Sequence, residues 1–269
     1  MLSRTDPLAR RLRALRSDAA LRESEKVFVA EGIHLAIDAL AAGALIDAAV
    51  VSPRLLESDS GRSLERLLRQ KVSEVHVSSD ATLDALQDAR SPQPIVLIVR
   101  RTAPTLSAVL AGRGGTPLVV VACGVQEPGN LGALWRTADA AGASGFVATE
   151  GSVHLTHPRT VRASMGAIFR LPAAEASMAA VLEDVKVRKL TLVGANARSA
   201  AAYDDLDWTG PLALLFGGEG SGIPPEAEEA LDLRVAIPMA PGVESLSVNA
   251  AAAVLLFEAA RKRRAVSRA

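Results

Sequence analysis

The chain has one cysteine, Cys123, and four histidines, and only 3% of its residues are aromatic. A lone cysteine excludes a disulfide framework and any Cys-rich zinc site. The histidines are His34, His76, His154 and His157, and only the last two are spaced for a shared ligand. No acid or cysteine accompanies that HxxH pair through Arg170, so no metal is expected. The scarcity of aromatics argues against a base-stacking platform. Net charge is also missing, because 30 basic and 30 acidic residues cancel. Long apolar runs are absent: the longest uncharged stretches, such as Ser245–Phe257, reach 13 residues, short of the roughly 18 a membrane helix needs. The first 30 residues have no apolar signal core, and Asp6, Asp18, Glu23 and Glu25 argue against a transit peptide. The expectation is a cytoplasmic protein with no membrane partner. GxSxG, HExxH and a Gly-Lys-Ser/Thr phosphate loop are lacking, which weakens hydrolase, metalloenzyme and nucleotide-phosphate readings.

What is present is alternation. At 269 residues and 28.0 kDa the chain is long enough for one large or two small domains. Strand-like runs at Val27–Ala30, Ile46–Val51, Glu74–Val77 and Ile95–Arg100 alternate with helical stretches at Glu31–Ala42, Gly61–Gln70 and Asp80–Asp88. This reads as a small α/β domain over residues 1–101. Residues 102–116 are rich in Gly and Pro and read as a linker with a short helix at Leu106–Ala111. A second α/β domain is expected over 117–269. It opens with the continuous apolar run PLVVVACG, typical of a buried parallel strand. Further strands are predicted at Gly145–Ala148, Leu190–Asn196, Leu212–Phe216 and Leu233–Pro238. Helices are predicted at Leu131–Ala141, Met178–Val187, Pro225–Leu231 and Val248–Arg264.

Charge is clustered although it sums to zero. Between Tyr203 and Asp232 stand eight acids and no Lys or Arg. Arg159, Arg162 and Arg170 surround a small-residue turn, Ala163–Gly166, with no acid in that segment. Such a cluster suits a phosphate backbone, or is solvated surface. The C-terminal end carries Arg261, Lys262, Arg263, Arg264 and Arg268. In QEPGNLGALWRTADAAGASGF, Asn130 can cap a helix, and Arg136 follows nearly two turns later, where both could face one end of a crevice. In LALLFGGEGSGIP, a strand runs into four glycines around Glu219, where backbone can approach a flat ligand. A third polar loop, IPMAPGVESLSVNAAAAVLLFEA, leads into the last helix.

In this order these segments resemble the SpoU (TrmH-like) branch of the SPOUT RNA methyltransferases. NLGALWRTADAAGASGF is similar to the family's first motif, LALLFGGEGSGIP to its second and the Ile237–Ala259 segment to its third, with RASMGAIFRLP between the first two. The resemblance covers Pro117–Arg264. VFVAEGIHLAIDALAAG is similar, more loosely, to an N-terminal RNA-binding domain shared with certain ribosomal proteins. The resemblance implies a trefoil-knotted methyltransferase domain, a homodimer with an active site shared across its interface, and 2′-O-ribose methylation of RNA by S-adenosylmethionine. The two-domain form favours ribosomal RNA. A tRNA methyltransferase and a catalytically silent RNA-binding or assembly factor remain as alternatives.

By the same resemblance, the catalytic candidates are Asn130, Arg136, Glu219, Ser245, Ser247 and Asn249. Cofactor contacts are expected from Ala195, Asn196, Gly217, Gly218, Glu219, Gly220, Ile237, Met239 and Leu246. RNA contacts are expected from Arg159, Arg162 and Arg170. For Arg136 the family role is proton transfer together with an RNA phosphate. A guanidinium is permanently protonated, so phosphate clamping stands beside it. The third motif departs from the usual Ser-Leu-Asn-Val-Ser: Ser247 occupies the Asn position, and Asn249 follows two residues later. Either Asn249 takes over the role or Ser247 suffices.

Overall fold

A computed structural model describes residues 1–87, 91–196, 201–220 and 222–266. The chain divides into two compact units, Met1–Thr102 with Thr156–Phe169, and Ala103–Leu155 with Arg170–Ala269.

The first unit is built on β1 (Val27–Glu31), β2 (Ile46–Val51), β3 (Val75–Val77) and β4 (Ile95–Arg100), in the order β1-β4-β2-β3. β4 runs antiparallel to β1 and β2, and β2 runs parallel to β3. β1 and β4 are buried on both faces, as is the second half of β2, so their side chains alternate between two cores rather than between core and water. Phe28, Ala30, Ile95, Leu97 and Val99 enter one core with Leu35, Ala39, Leu64 and Leu68. Those last four come from α3 (Ile33–Ala41) and α4 (Asp59–Lys71). Val27, Val29, Val50, Val96 and Ile98 enter the other core with Leu12 and Leu15 of α1 (Pro7–Ser17) and with Leu83 of α5 (Asp80–Asp84). α5 ends at Asp84, short of the predicted Asp88: Ala85 and Leu86 form a turn, and Asp88 itself lies outside the described residues.

Two helices precede the first predicted element. Asp6 Oδ1 accepts from Leu8 N at 2.9 Å ahead of α1, and Asp18 Oδ1 accepts from Leu21 N at 3.0 Å ahead of α2 (Ala19–Glu25). An Asp followed by Pro7 at the first helical position was a readable start signal.

The second unit carries a six-stranded, all-parallel sheet in the order β10-β8-β9-β5-β6-β7. Its strands are β5 (Leu118–Cys123), β6 (Gly145–Thr149), β7 (Ala173–Ala176), β8 (Thr191–Ala195), β9 (Leu212–Gly217) and β10 (Leu233–Val235). β7 reads AAEA and was not predicted, since it has no β-branched residue and closes an edge. The helix at Leu106–Ala111 forms as predicted (α6), and it buries Val109 and Leu110 in this unit's core. Ala103–Thr116 therefore packs with the second unit rather than running as a bare tether. α7 (Pro128–Ala140) and α12 (Val248–Val266) pack against one another. Trp135 of α7 stacks on Phe146 with centroids 5.5 Å apart. α8 (Pro158–Ala163) and all but the last residue of α9 (Ala167–Arg170) belong to the first unit, and α10 (Met178–Arg188) and α11 (Pro225–Ala230) to the second. Among the described residues, no helix is long and apolar enough to cross a membrane.

Candidate active site

In open parallel sheets, ligands bind beyond the carboxyl ends of the strands. Here a cavity of about 1220 Å³ lies beyond the ends of β8, β9 and β10. Ala195 and Asn196 reach it from β8, Gly217–Gly220 from β9, and Ile237 and Met239 from the chain after β10. Ser245, Leu246 and Ser247 come from the loop before α12. All nine residues expected at the cofactor thus line one wall or another. Phe216, Val235, Glu244, Val248, Ala251 and Leu255 line the cavity as well and carried no expectation from the sequence. The spacing of Val248, Ala251 and Leu255 places them on one helical face, which was the available signal.

Two of the four glycines of this loop, Gly217 and Gly218, are required by close backbone packing, while a Cβ on Gly220 or Gly222 would meet nothing within 4 Å. A Cβ on Gly217 would sit 2.2 Å from Gly222 C, and one on Gly218 would sit 2.3 Å from Gly124 O. Their bare backbones pack against other backbone, and both residues also line the cavity. Gly218 N also donates to Cys123 O at 2.7 Å. β5 and β9, paired through Cys123 and Gly217, thereby fix the loop that forms the cavity wall.

Glu219 is exposed on that loop and accepts a hydrogen bond from Asn130 Nδ2. Asn130 Oδ1 in turn accepts from Asn249 Nδ2 at 3.1 Å. The first, second and third motifs therefore meet through side chains. Asn130 is held by its backbone as well, its N donating to Glu127 Oε2 at 2.8 Å. Ser247 Oγ accepts from Ala250 N at 3.3 Å, as a helix N-cap does. Arg136 stands apart from this group. It is exposed on α7, it does not line the cavity, and its side chain has no hydrogen bond or ion pair among the described residues. Six residues span about 600° of helix, which leaves Arg136 roughly 120° around the axis from Asn130. The two do not face one crevice within a single chain.

The expected RNA-contact arginines are not an acid-free cluster in space. Arg162 Nη1 lies 3.1 Å from Glu31 Oε2, a carboxylate that is 1% exposed. Arg170 Nε lies 2.8 Å from Asp139 Oδ2. Arg162 and Arg159 belong to the first unit and Arg170 to the second. His157 caps α8 through Nδ1, which accepts from Arg159 N, and no group of three metal-ligating side chains occurs among the described residues. The basic C-terminal end is also put to use: Arg263 donates to Thr116 O at 2.6 Å and Trp208 O at 2.9 Å. Burial holds its guanidinium below the usual arginine range. Arg268 lies outside the described residues.

The cavity walls carry two carboxylates, Glu219 and Glu244, and no Lys or Arg among the described lining residues. Apolar Phe216, Ile237, Met239, Leu246 and Leu255 share those walls. An acidic, partly apolar, glycine-walled cleft fits a cationic ligand with a flat heterocycle. It does not fit a polyphosphate, which needs cations.

The chain matches the SpoU rRNA Methylase family over residues 117–257 and the MRM3-like substrate binding domain over residues 6–97. It is 26% identical to the 23S rRNA (guanosine(2553)-2′-O)-methyltransferase RlmP of Bacillus subtilis, over 88% of this chain and 89% of that protein. It is 31% identical to an uncharacterized tRNA/rRNA methyltransferase of Synechocystis, over 98% and 94% of the two chains. Among solved structures, it is similar to the SpoU methyltransferase AviRb of Streptomyces viridochromogenes in complex with AdoMet. The TM-score is 0.87 and the identity 27%, over 96% of this chain and 98% of that one.

Proposed function

The chain belongs to the SpoU rRNA methylase family, and from that premise we propose that it methylates ribose 2′-oxygens of ribosomal RNA with S-adenosylmethionine. The observation that carries the reading is the cleft beyond β8–β10. Its lining includes every residue expected at the cofactor, and Asn130, Glu219 and Asn249 are joined beside it. Bound S-adenosylmethionine supplies a methyl group on a sulfonium. Glu219 and Glu244 set a negative potential that favours a cationic ligand over its neutral product. The loop from Phe216 to Gly220 and the segment from Ile237 to Met239 hold the adenosine end. The ribose oxygen must approach in line, so positioning carries much of the rate. Arg136, unengaged and exposed, clamps an RNA phosphate beside the target ribose. Because Arg136 lies away from its own chain's cleft, it serves the cleft of a second copy in a homodimer. The N-terminal part, 1–101, presents the RNA, and 117–269 carries the transfer in a knotted arrangement. The proposed compartment is the cytoplasm.

The test is methyl transfer from S-adenosylmethionine labelled in its methyl group to purified ribosomal RNA and to tRNA, followed by nuclease digestion and mass spectrometry of the nucleosides. A 2′-O-methylated nucleoside in the ribosomal fraction is expected. Label confined to tRNA would move the substrate, and label on a base would overturn the reaction.

A further inference from the structure

We propose that Asn249 is a positioning residue: it supplies the donor that Asn130 Oδ1 needs once Glu219 has set the polarity of the side-chain hydrogen-bond chain Asn249–Asn130–Glu219. The inference rests on the methyltransferase reading of the cleft and names the residue that orients its acidic wall.

A carboxylate only accepts hydrogen bonds, whereas a carboxamide presents a donor on one side and an acceptor on the other. Glu219 therefore requires the NH₂ side of Asn130, which is the side it receives. That choice turns Asn130 Oδ1 the other way, where it needs a donor. Asn249 Nδ2 meets it at 3.1 Å. The direction is then fixed along the whole chain, and Asn249 Oδ1 is left buried with no hydrogen-bond partner. A reversed chain would set Asn130 Oδ1 against the Glu219 carboxylate, two acceptors facing one another.

Position is decided by the start of α12. Ser247 precedes the helix and its hydroxyl caps Ala250 N. Asn249 lies in the first turn, and α12 packs on α7, which brings its amide to Asn130 at the start of α7. The exchange of Ser and Asn within this motif thus puts the capping residue in the loop and the amide on the helix. Glu219 sits on a loop held by backbone contacts at Gly218 and Gly222, where Gly222 N donates to Gly218 O at 3.0 Å. The bond from Asn130 is what directs its side chain.

The experiment is a double-mutant cycle on the full chain with Asn249→Asp and Glu219→Gln, read by single-turnover methylation at saturating RNA and cofactor and by calorimetric S-adenosylmethionine affinity. Asn249→Asp keeps the shape but replaces the donor with an acceptor, which forces Asn130 to turn round. It should slow transfer by about 10-fold or more, the scale of one hydrogen bond to a charged group, with the KM for RNA little changed. Glu219→Gln supplies a carboxamide that can donate to the turned Asn130. The double variant should then be no slower, and bind cofactor no more weakly, than Glu219→Gln alone. Losses that multiply, or Asn249→Asp at the wild-type rate and affinity, would overturn the proposal. Retained far-UV dichroism and melting temperature separate polarity from misfolding. If the wild-type chain methylates no RNA, the reaction fails on its own, and the cycle is still read in cofactor affinity.

Discussion

Replacing Gly218 by Ala tests whether the cleft wall is held by backbone contact. The new Cβ would stand 2.3 Å from Gly124 O, 2.9 Å from Gly124 C and 3.3 Å from Cys123 O. An ordinary carbon–oxygen contact is about 3.3 Å, so roughly 1 Å of movement is needed, and overpacking of this kind costs about 1–3 kcal/mol. Both atoms struck most closely are main chain at the end of β5, and Gly218 is itself hydrogen-bonded to Cys123 O, so no flexible side chain can yield. For a unit of this size the melting temperature should fall by about 2–12 °C. Because Gly217–Gly220 form the wall, S-adenosylmethionine affinity should fall by at least about 10-fold, or about 1.4 kcal/mol. Gly210→Ala is the control: its Cβ meets nothing within 4 Å, and the change should be neutral or slightly stabilising. Calorimetry and thermal unfolding read both effects. Gly218→Ala with wild-type melting and wild-type cofactor affinity would refute the reasoning.

Arg136→Ala should leave S-adenosylmethionine affinity nearly intact, since Arg136 is not part of its own chain's cleft lining, but cut single-turnover methylation by at least about 100-fold; wild-type transfer at saturating RNA would assign it to RNA affinity alone. Arg162→Ala takes a guanidinium from beside the buried Glu31 carboxylate and should cost about 1–3 kcal/mol in urea unfolding, below the full value for a buried pair because Arg162 is partly exposed; unchanged stability with weakened RNA binding would make it a free RNA contact instead. Burial, with the Glu226 carboxylate adding a smaller push, raises the Cys123 thiol to about 12. Native protein at pH 8 should therefore resist thiol reagents that label the unfolded chain fully, and rapid labelling of folded protein would contradict that burial.

Much of the fold was legible because its signals are local. β2, β4 and α6 form over the predicted residues: β2 and β4 are rich in β-branched residues, and α6 is bounded by Thr105 and Gly112 as cap residues. What escaped was short or unpatterned. α1 and α2 are rich in Arg and Glu and bury only a narrow stripe, Ala9, Leu12 and Leu15 in α1. β7 has no β-branched or aromatic residue to mark it as a strand. The site loops were legible for another reason: their glycine spacing is uncommon, and the motifs arrive in a fixed order. The backbone packing at Gly217 and Gly218 was not legible, because a glycine admitted to clear a ligand and one admitted to clear a neighbouring strand look alike in sequence.

Pairings between distant residues lie beyond any local reading, and they change chemistry here as much as fold. Arg162 and Arg170 look acid-free over seventeen residues of chain, yet Glu31 and Asp139 are brought to them from elsewhere. A phosphate would have to compete with those carboxylates, so clustering of like charge along a sequence does not measure the potential RNA would meet. Arg136 shows the converse. It lies close in sequence to Asn130, yet helical geometry turns it away, and it keeps its charge unengaged. The exchanged Ser247 and Asn249 belong with these cases. Two residues apart, they look interchangeable until the start of α12 decides which faces the helix and which faces the loop. The hydrogen bond from Asn249 to Asn130 spans 119 positions, and its direction is dictated by the carboxylate at its far end. The meaning of that departure from the family pattern is therefore a matter of donor and acceptor order, and substitutions that alter order while preserving shape are the ones that test it.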